Sequence, residues 1–116
     1  SPDRSILKSE AIEVTIPSFE GQMGILKDHI PLITFLRPGL IEIGNNEKFY
    51  VEDGTVEFSD NCLLVLSTTA RSLKQIDKSE INILIKEAEK KISTNQISDK
   101  QKYILNYKID TLRQIN

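Results

Sequence analysis

Short apolar runs separated by turn residues fill the first two-thirds of the chain. Residues 12–16 alternate apolar and polar side chains, which is typical of a strand with one buried face. Residues 62–67 form a continuous apolar run, so we expect a strand buried on both faces, with Cys62 as a small core residue. Three further apolar segments are expected to be strands, namely residues 40–43, 48–52 and 72–76. Short strands at short intervals, with no long helical pattern between them, predict an antiparallel β-sandwich.

Turn chemistry is concentrated at two places. Asp53-Gly54 is a tight-turn pair between two apolar segments, and it predicts a hairpin there. Residues 21–39 hold three of the five Gly, two of the four Pro and the single His. Glycine reaches backbone angles that are closed to other residues, and proline fixes φ and biases its neighbours towards extended conformation. This second stretch is therefore predicted to be ordered β structure with enforced turns.

The periodicity changes at Asp77, after which apolar residues recur every three or four positions. This spacing places them on one face of a helix, and the residues concerned are Ile81, Leu84, Ile85, Ala88 and Ile92. A second helical stripe follows the polar stretch 93–96 and consists of Leu105, Ile109 and Leu112. Two helices joined by a short loop predict an antiparallel helical hairpin. Each stripe is narrow, which favours a hairpin that can move relative to the sandwich.

Polar residues mark the start of each predicted helix. Asp77 and Glu80 have the spacing of a capping box, and so do Ser98 and Gln101. The sequence therefore predicts an α+β protein with two domains. We expect residues 1–76 to form the β-sandwich and residues 77–116 to form the helical hairpin.

The distribution of charge limits the partners of the chain. Residues 1–76 carry seven Lys/Arg and eleven Asp/Glu, a net charge of −4, whereas residues 77–116 carry eight and six, a net charge of +2. Neither half is basic enough to predict binding to nucleic acid. No apolar run approaches the roughly 20 residues of a membrane span, so we expect contact with a membrane only through a partner. No transit peptide is visible, which favours a bacterial source.

No catalytic or metal-binding constellation is visible in the sequence. Cys62 is the single cysteine, so it predicts neither an internal disulfide nor a cysteine-based metal set. His29 has no obvious triad partner, and we interpret it as a hydrogen-bonded loop residue. Phosphate-binding loops, nucleophile elbows and dinucleotide fingerprints are not found. We therefore expect a non-enzymatic protein without a metal or a cofactor.

One long motif resembles a known family. Residues 21–39 read Gly-x-x-Gly-Ile-Leu-x-x-His-x-Pro-Leu-Ile-Thr-x-Leu-x-Pro-Gly, which closely resembles the signature stretch of the epsilon chain of the rotary ATP synthase. Residues 50–58 resemble the Tyr-Val hairpin of that family, and residues 1–4 resemble its Ser-Pro-Glu-Arg. The resemblance is close over residues 1–77 and architectural over residues 78–116. The family has a strand before Ser-Pro, so we expect the beginning of this sequence to be trimmed.

The resemblance implies a non-catalytic subunit of the central stalk, or rotor, of an F-type ATP synthase. In that family the sandwich contacts the gamma subunit and the c-ring, and thereby couples ion flow to ATP synthesis. The two helices can extend along gamma towards the catalytic beta subunit and block ATP hydrolysis. The expected location is peripheral, on the cytoplasmic face of the bacterial plasma membrane.

The family's functional positions carry over to this chain residue by residue. The resemblance implies contact with the c-ring at Glu20 and Gln22, where Gln22 replaces an acidic residue of many relatives, and contact with gamma at His29 and Thr34. ATP-binding members carry Asp-x-x-Arg at the first helix, but here Glu80 stands in place of the arginine. Because a carboxylate repels phosphate, we expect ATP binding to be weak or absent. In relatives, basic residues of the second helix meet an acidic segment of the catalytic beta subunit. The resemblance implies the same role here for Lys100, Lys102, Lys108 and Arg113.

Two other classes of function compete with this interpretation. A free-standing β-sandwich adaptor that binds a protein or peptide would explain the same pattern without a rotary complex. An enzyme is the third possibility, and it would need a catalytic pocket that the sequence does not indicate.

Overall fold

The computed structural model describes residues 5–9 and 13–115, and in this part of the chain strands precede two helices. The strands are β1 (Ser5–Ser9), β2 (Glu13–Ser18), β3 (Gly21–Leu26), β4 (Leu32–Leu36), β5 (Gly39–Ile43), β6 (Glu47–Val51), β7 (Gly54–Ser59), β8 (Cys62–Ser67) and β9 (Arg71–Ser72). A single 3-10 turn, Leu73–Gln75, leads to α1 (Lys78–Ser93) and α2 (Asp99–Ile115). The predicted β-sandwich followed by a helical hairpin is confirmed. The resemblance at residues 1–4 and the predicted strand start at Ile12 lie outside the described residues.

The strands pair antiparallel in the order β1-β8-β7-β4-β2-β5-β6-β9, with β3 paired to β2. One layer contains β1, β8, β7 and β4, and the other contains β5, β6 and β9. Because β4 pairs with β7 and β5 pairs with β6, the chain passes from the first layer to the second at Arg37-Pro38. β2 contacts both layers, because Ser18 is paired with Leu36 and Val14 with Ile43. The motif stretch 21–39 therefore contains β3, β4 and the start of β5, as predicted for ordered β structure with turns.

The sandwich core lies between the layers, and the described residues that are buried in it all belong to strands. It comprises Val14, Ile16, Ile25, Leu36, Ile41, Val51, Val56, Phe58, Leu63 and Val65. Along β8 every second residue is buried, and Cys62, Leu64 and Leu66 are half-buried on the other face. The predictions that β8 is buried on both faces and that Cys62 is a core residue are therefore wrong. An antiparallel sheet commonly covers only one of its faces, and Cys62 begins its strand beside a turn.

The helices pack on the sandwich through a second apolar cluster. Tyr50 of β6 contacts Ile81 and Ile85 of α1 and Leu112 of α2, with Leu40, Leu73, Ile76, Leu84 and Ile115 packed around them. The end of α2 thus lies beside the start of α1, as an antiparallel hairpin requires. In this arrangement each narrow stripe contributes to one shared cluster, so the helices pack on each other and on the sandwich together. The division of the chain at Asp77 into two domains stays a prediction.

Two local predictions of strand structure are wrong. Asp53-Gly54 does not close a hairpin, because β6 pairs with β5 and β9 whereas β7 pairs with β4 and β8. Gly54, at φ 137°, turns the chain from one layer to the other. Of the expected strand 72–76 only Ser72 lies in a strand, the two-residue β9, since the Ser72 hydroxyl accepts a hydrogen bond from the Lys74 amide and starts a 3-10 turn. Turn residues indicate where the chain changes direction, but the packing of the two layers determines which strands pair.

Candidate functional site

Among the residues whose side chains the structure describes, the most exposed apolar ones of the sandwich lie on β4 and just before it. Ile30 is 74% exposed, Ile33 is 72% exposed and Phe35 is 65% exposed. Ile33 and Phe35 point to the same side of β4, because alternate residues of a strand share a face. We call these three residues the exposed apolar face.

Neighbouring strands extend the exposed apolar face. Ile33 is opposite Glu57 and Phe35 is opposite Thr55 on β7. These residues are in turn opposite the half-buried Leu64 and Leu66 of β8. Exposed apolar patches with polar neighbours commonly mark surfaces that bind another protein. The arrangement is suited to docking and offers no grouping of acid, base and nucleophile.

The loop that carries His29 is held by side-chain hydrogen bonds to a distant turn. The amide of Asp28 donates to the Asn61 side-chain oxygen over 2.6 Å, and the Asn61 amide group donates back to Asp28 over 3.0 Å. His29 Nδ1 donates to the Ile30 carbonyl oxygen over 2.7 Å, and its ring lies edge-on to Phe58 at 6.1 Å. His29 is therefore a half-buried, hydrogen-bonded loop residue beside the exposed apolar face.

The second residue expected at the gamma contact points inwards. Thr34 is half-buried and lies on the face of β4 opposite to Ile33 and Phe35. It is paired with Val56 of β7. The structure thus brings His29 and Thr34 to the same region, but the exposed area there belongs to the apolar residues.

The residues expected at the c-ring lie on the β2–β3 hairpin and face two crevices beside α2. Glu20 is exposed in the turn, and it lines one crevice with Phe19 and Lys100. Gln22, on β3, lines the other crevice with Arg37 and Asp110. The turn itself is held by the buried Ser18, whose hydroxyl donates to the Gly21 carbonyl and accepts from the Glu20 amide.

The four basic residues singled out on α2 have different surroundings. Lys108 donates to Glu52 of the sandwich over 3.3 Å, and Arg113 donates to Glu89 of α1 over 2.8 Å. Lys100 is exposed and Lys102 is half-buried. Two of the four cations are therefore engaged within the chain in this arrangement of the hairpin.

Tyr50 and Glu52 are functional candidates that the sequence did not single out. The Tyr50 hydroxyl donates to Glu52 over 3.0 Å, and Glu52 also accepts from Lys108. Burial, together with the charge of Glu52 and the hydrogen bond to it, raises the pKa of Tyr50 well above its usual value. The Tyr50 phenol therefore stays neutral and donates to Glu52. It thereby supports the ion pair between Glu52 of the sandwich and Lys108 of α2.

The capping boxes form in different ways at the two helices. At α2 the box is complete, since the Ser98 hydroxyl accepts from the Gln101 amide and the Gln101 side chain accepts from the Ser98 amide. At α1 the Asp77 carboxylate accepts from the Glu80 amide. The Glu80 carboxylate instead pairs with Arg71, whose Nη1 donates to it over 2.6 Å. The helix start indicated by the spacing at Asp77 therefore forms through the aspartate cap, while the glutamate of the pair is engaged by Arg71.

The described part of the chain contains no group of three or more His, Cys, Asp or Glu arranged to hold a metal ion. Among the described residues, no helix is long and apolar enough to cross a membrane.

Comparison with known proteins places this arrangement in a family. Residues 1–73 match the family described as ATP synthase, Delta/Epsilon chain, beta-sandwich domain. The chain belongs to the ATP synthase epsilon chain family. The ATP synthase epsilon chain of Pelagibacter ubique (strain HTCC1062) is 45% identical, over 100% of this chain and 92% of the relative. The ATP synthase epsilon chain of Rhodopseudomonas palustris (strain BisB18) is 33% identical, over 85% of this chain and 76% of the relative.

Solved structures give a matching fold. A chain in the cryo-EM structure of the Euglena gracilis mitochondrial ATP synthase, OSCP/F1/c-ring in rotational state 1, superposes with a TM-score of 0.68. It is 21% identical in sequence and covers 90% of this chain and 69% of that chain. At this identity the likeness shows the shared fold, a sandwich followed by two helices.

Proposed function

We propose that the chain is a non-catalytic subunit of the central stalk of a bacterial F-type ATP synthase. In this role it turns with the gamma subunit and the c-ring, couples ion flow to ATP synthesis, and lies peripherally on the cytoplasmic face of the plasma membrane. Its membership of the epsilon chain family supports the role. The observation that carries the proposal is the exposed apolar face, which we interpret as a docking surface on the sandwich.

The gamma subunit is the partner proposed for the exposed apolar face. Of the two family positions for this contact, His29 lies in the loop that leads to Ile33, whereas Thr34 faces the other side of β4. Desolvation of Ile33 and Phe35 would supply the affinity, since buried apolar anchors dominate protein interfaces. The β2–β3 hairpin with Glu20 and Gln22 is proposed to contact the c-ring.

The helical hairpin is proposed to regulate ATP hydrolysis. When the helices leave the sandwich and separate from each other, Lys108 loses Glu52 of the sandwich and Arg113 loses Glu89 of α1. Both cations then become free to meet an acidic segment of the catalytic beta subunit. Lys100 and Lys102 would add two further cations on the same helix. The structure described above would then be the retracted, non-inhibiting state.

Calorimetric titration of the full chain with the gamma subunit of the same organism tests the role. We expect one-to-one binding, weakened by about tenfold or more in Phe35→Asp, because a buried carboxylate replaces an apolar anchor. Ile83→Asp is the matched control, since Ile83 is 56% exposed but lies on α1. Equal binding by Phe35→Asp and the wild-type chain would contradict the assignment of this face. If the wild-type chain does not bind gamma at all, the adaptor interpretation is favoured.

A further inference from the structure

The β2–β3 turn and α2 are joined by side chains that the sequence patterns did not connect. The Phe19 ring, in the turn, stacks on the Tyr103 ring of α2 at a centroid distance of 6.3 Å and an interplanar angle of 19°. Tyr103 in turn meets Tyr107 edge-on at 4.8 Å. The guanidinium carbon of Arg37 lies 3.8 Å from the centre of the Tyr107 ring. We call Phe19, Arg37, Tyr103 and Tyr107 the aromatic clamp.

Arg37 connects the clamp to the backbone that supports the turn. Its Nε donates to the Ser18 carbonyl over 2.8 Å, and its amide donates to the Pro17 carbonyl over 3.0 Å. Ser18 has no exposed surface, and its hydroxyl bonds both Gly21 and Glu20. A side chain that stacks on α2 thus also holds the residue that organises the turn.

The aromatic clamp lies where the first half of α2 meets the sandwich. The buried residues of α2 are Ile109, Thr111 and Leu112, and they lie towards its end. The clamp residues Tyr103 and Tyr107 lie nearer its start, where the helix crosses the turn. Loss of the clamp would therefore free the first half of α2 while its last turns stay in the apolar cluster.

We infer that docking of α2 and ordering of the β2–β3 turn are coupled through the aromatic clamp. A docked helix restrains Phe19 and Arg37 and thereby restrains the turn, and an ordered turn presents Phe19 and Arg37 to the helix. Such coupling is reciprocal by linkage, so either element stabilises the other. If Glu20 contacts the c-ring, which rests on the function proposed above, this contact favours the retracted hairpin.

Amide hydrogen exchange on the isolated full chain tests the coupling without gamma or the ring. We expect Tyr107→Leu to speed exchange at the Phe19 and Glu20 amides about fivefold, because the leucine keeps apolar bulk but offers no ring to Arg37. Arg113→Gln is the control, since it breaks only the pair with Glu89 between the helices. We expect it to leave exchange in the turn unchanged.

The reverse direction is measured with a variant in the turn. Phe19→Leu is expected to speed exchange in the first half of α2 about threefold, because it removes the stack on Tyr103. Ile33→Ala, on the exposed face of β4, is the control and is expected to leave α2 unchanged. The inference would be overturned if the turn exchanged at the wild-type rate in Tyr107→Leu, or if α2 exchanged at the wild-type rate in Phe19→Leu. Circular dichroism establishes that each variant is folded, and the outcome is independent of binding to gamma.

Discussion

Arg71 and Glu80 form an ion pair of 2.6 Å that joins β9 to the first turn of α1. The hydrogen bond to Glu80 raises the pKa of Arg71 above its usual value. Both side chains are about two-fifths exposed, so the pair contributes little to stability, about 0–1 kcal/mol. Its importance is positional, because the family resemblance implies that Glu80 stands in the place of the arginine of ATP-binding members.

We predict that the chain binds ATP weakly or not at all. The Glu80 carboxylate repels phosphate, and Arg71 is already paired with it. Calorimetric titration with magnesium-ATP should show no measurable heat of binding at micromolar protein concentration. A dissociation constant in the low micromolar range would contradict the prediction. Glu80→Arg is the informative companion, since binding gained only in that variant would assign the exclusion of ATP to this position.

Stability should depend on pH through Asp77. The Ser79 hydroxyl and the Glu80 amide donate to its carboxylate and lower its pKa below the usual value. The contribution of this cap is therefore present above the pKa of Asp77 in the unfolded chain and is lost as pH falls through the lower pKa of the folded chain. We expect the melting temperature to drop in this acid range, and the drop to be smaller in Asp77→Asn.

Asp99→Asn is the matched control for this pH dependence. Asp99 also lies in the first turn of a helix, but Ser98 provides the cap there. A pH profile of Asp77→Asn identical to that of the wild-type chain would rule out a contribution from Asp77.

Substitution of Gly39 by alanine should destabilise the sandwich, whereas the same change at Gly24 should not. A Cβ at Gly39 would overlap the Pro17 side chain, but a Cβ at Gly24 meets no atom within 4 Å. Overpacking of this kind costs about 1–3 kcal/mol. Each kcal/mol lowers the melting temperature by roughly 4–8 °C in a small domain. Thermal unfolding of the two variants checks the prediction, and equal melting temperatures would contradict it.

Deletion of residues 78–116 should leave binding to gamma intact and raise ATP hydrolysis. The sandwich is expected to keep its own core, because the described residues that are buried in it all belong to strands. If half of the complexes are held in the inhibited state, hydrolysis by the reconstituted complex should rise about twofold. The rate is measured before and after addition of the full or truncated chain. Unchanged hydrolysis would count against an inhibitory role of the helices.

Some elements could be predicted because their signals are local. Period-two alternation identified β2, and apolar residues at spacings of three and four identified α1 and α2. The Ser98–Gln101 capping box formed as its spacing predicts, because both partners lie within one helical turn. The family motif at residues 21–39 also pointed to the region that carries the exposed apolar face.

Other features could not be read locally. Leu32–Leu36 is apolar on both faces of β4, so the sequence pattern could not indicate that Ile33 and Phe35 are exposed while Leu36 is buried. The sequence also gave no indication that Glu80 would pair with Arg71. The Glu80 carboxylate could accept from the Asp77 amide or from Arg71. It pairs with Arg71 because the packing of β9 against the start of α1 brings the two side chains together.

By itself, the sequence determined the class of the fold, the succession of a β region and two helices, and the family to which the chain belongs. These follow from periodicity, turn chemistry and a long motif, each of which is contained in a short stretch of chain. Only the tertiary structure decided which strands pair, which face of β4 is open, and that Arg37 stacks on Tyr107. These features join residues that are distant in sequence, and they exist only after the layers and helices have packed together.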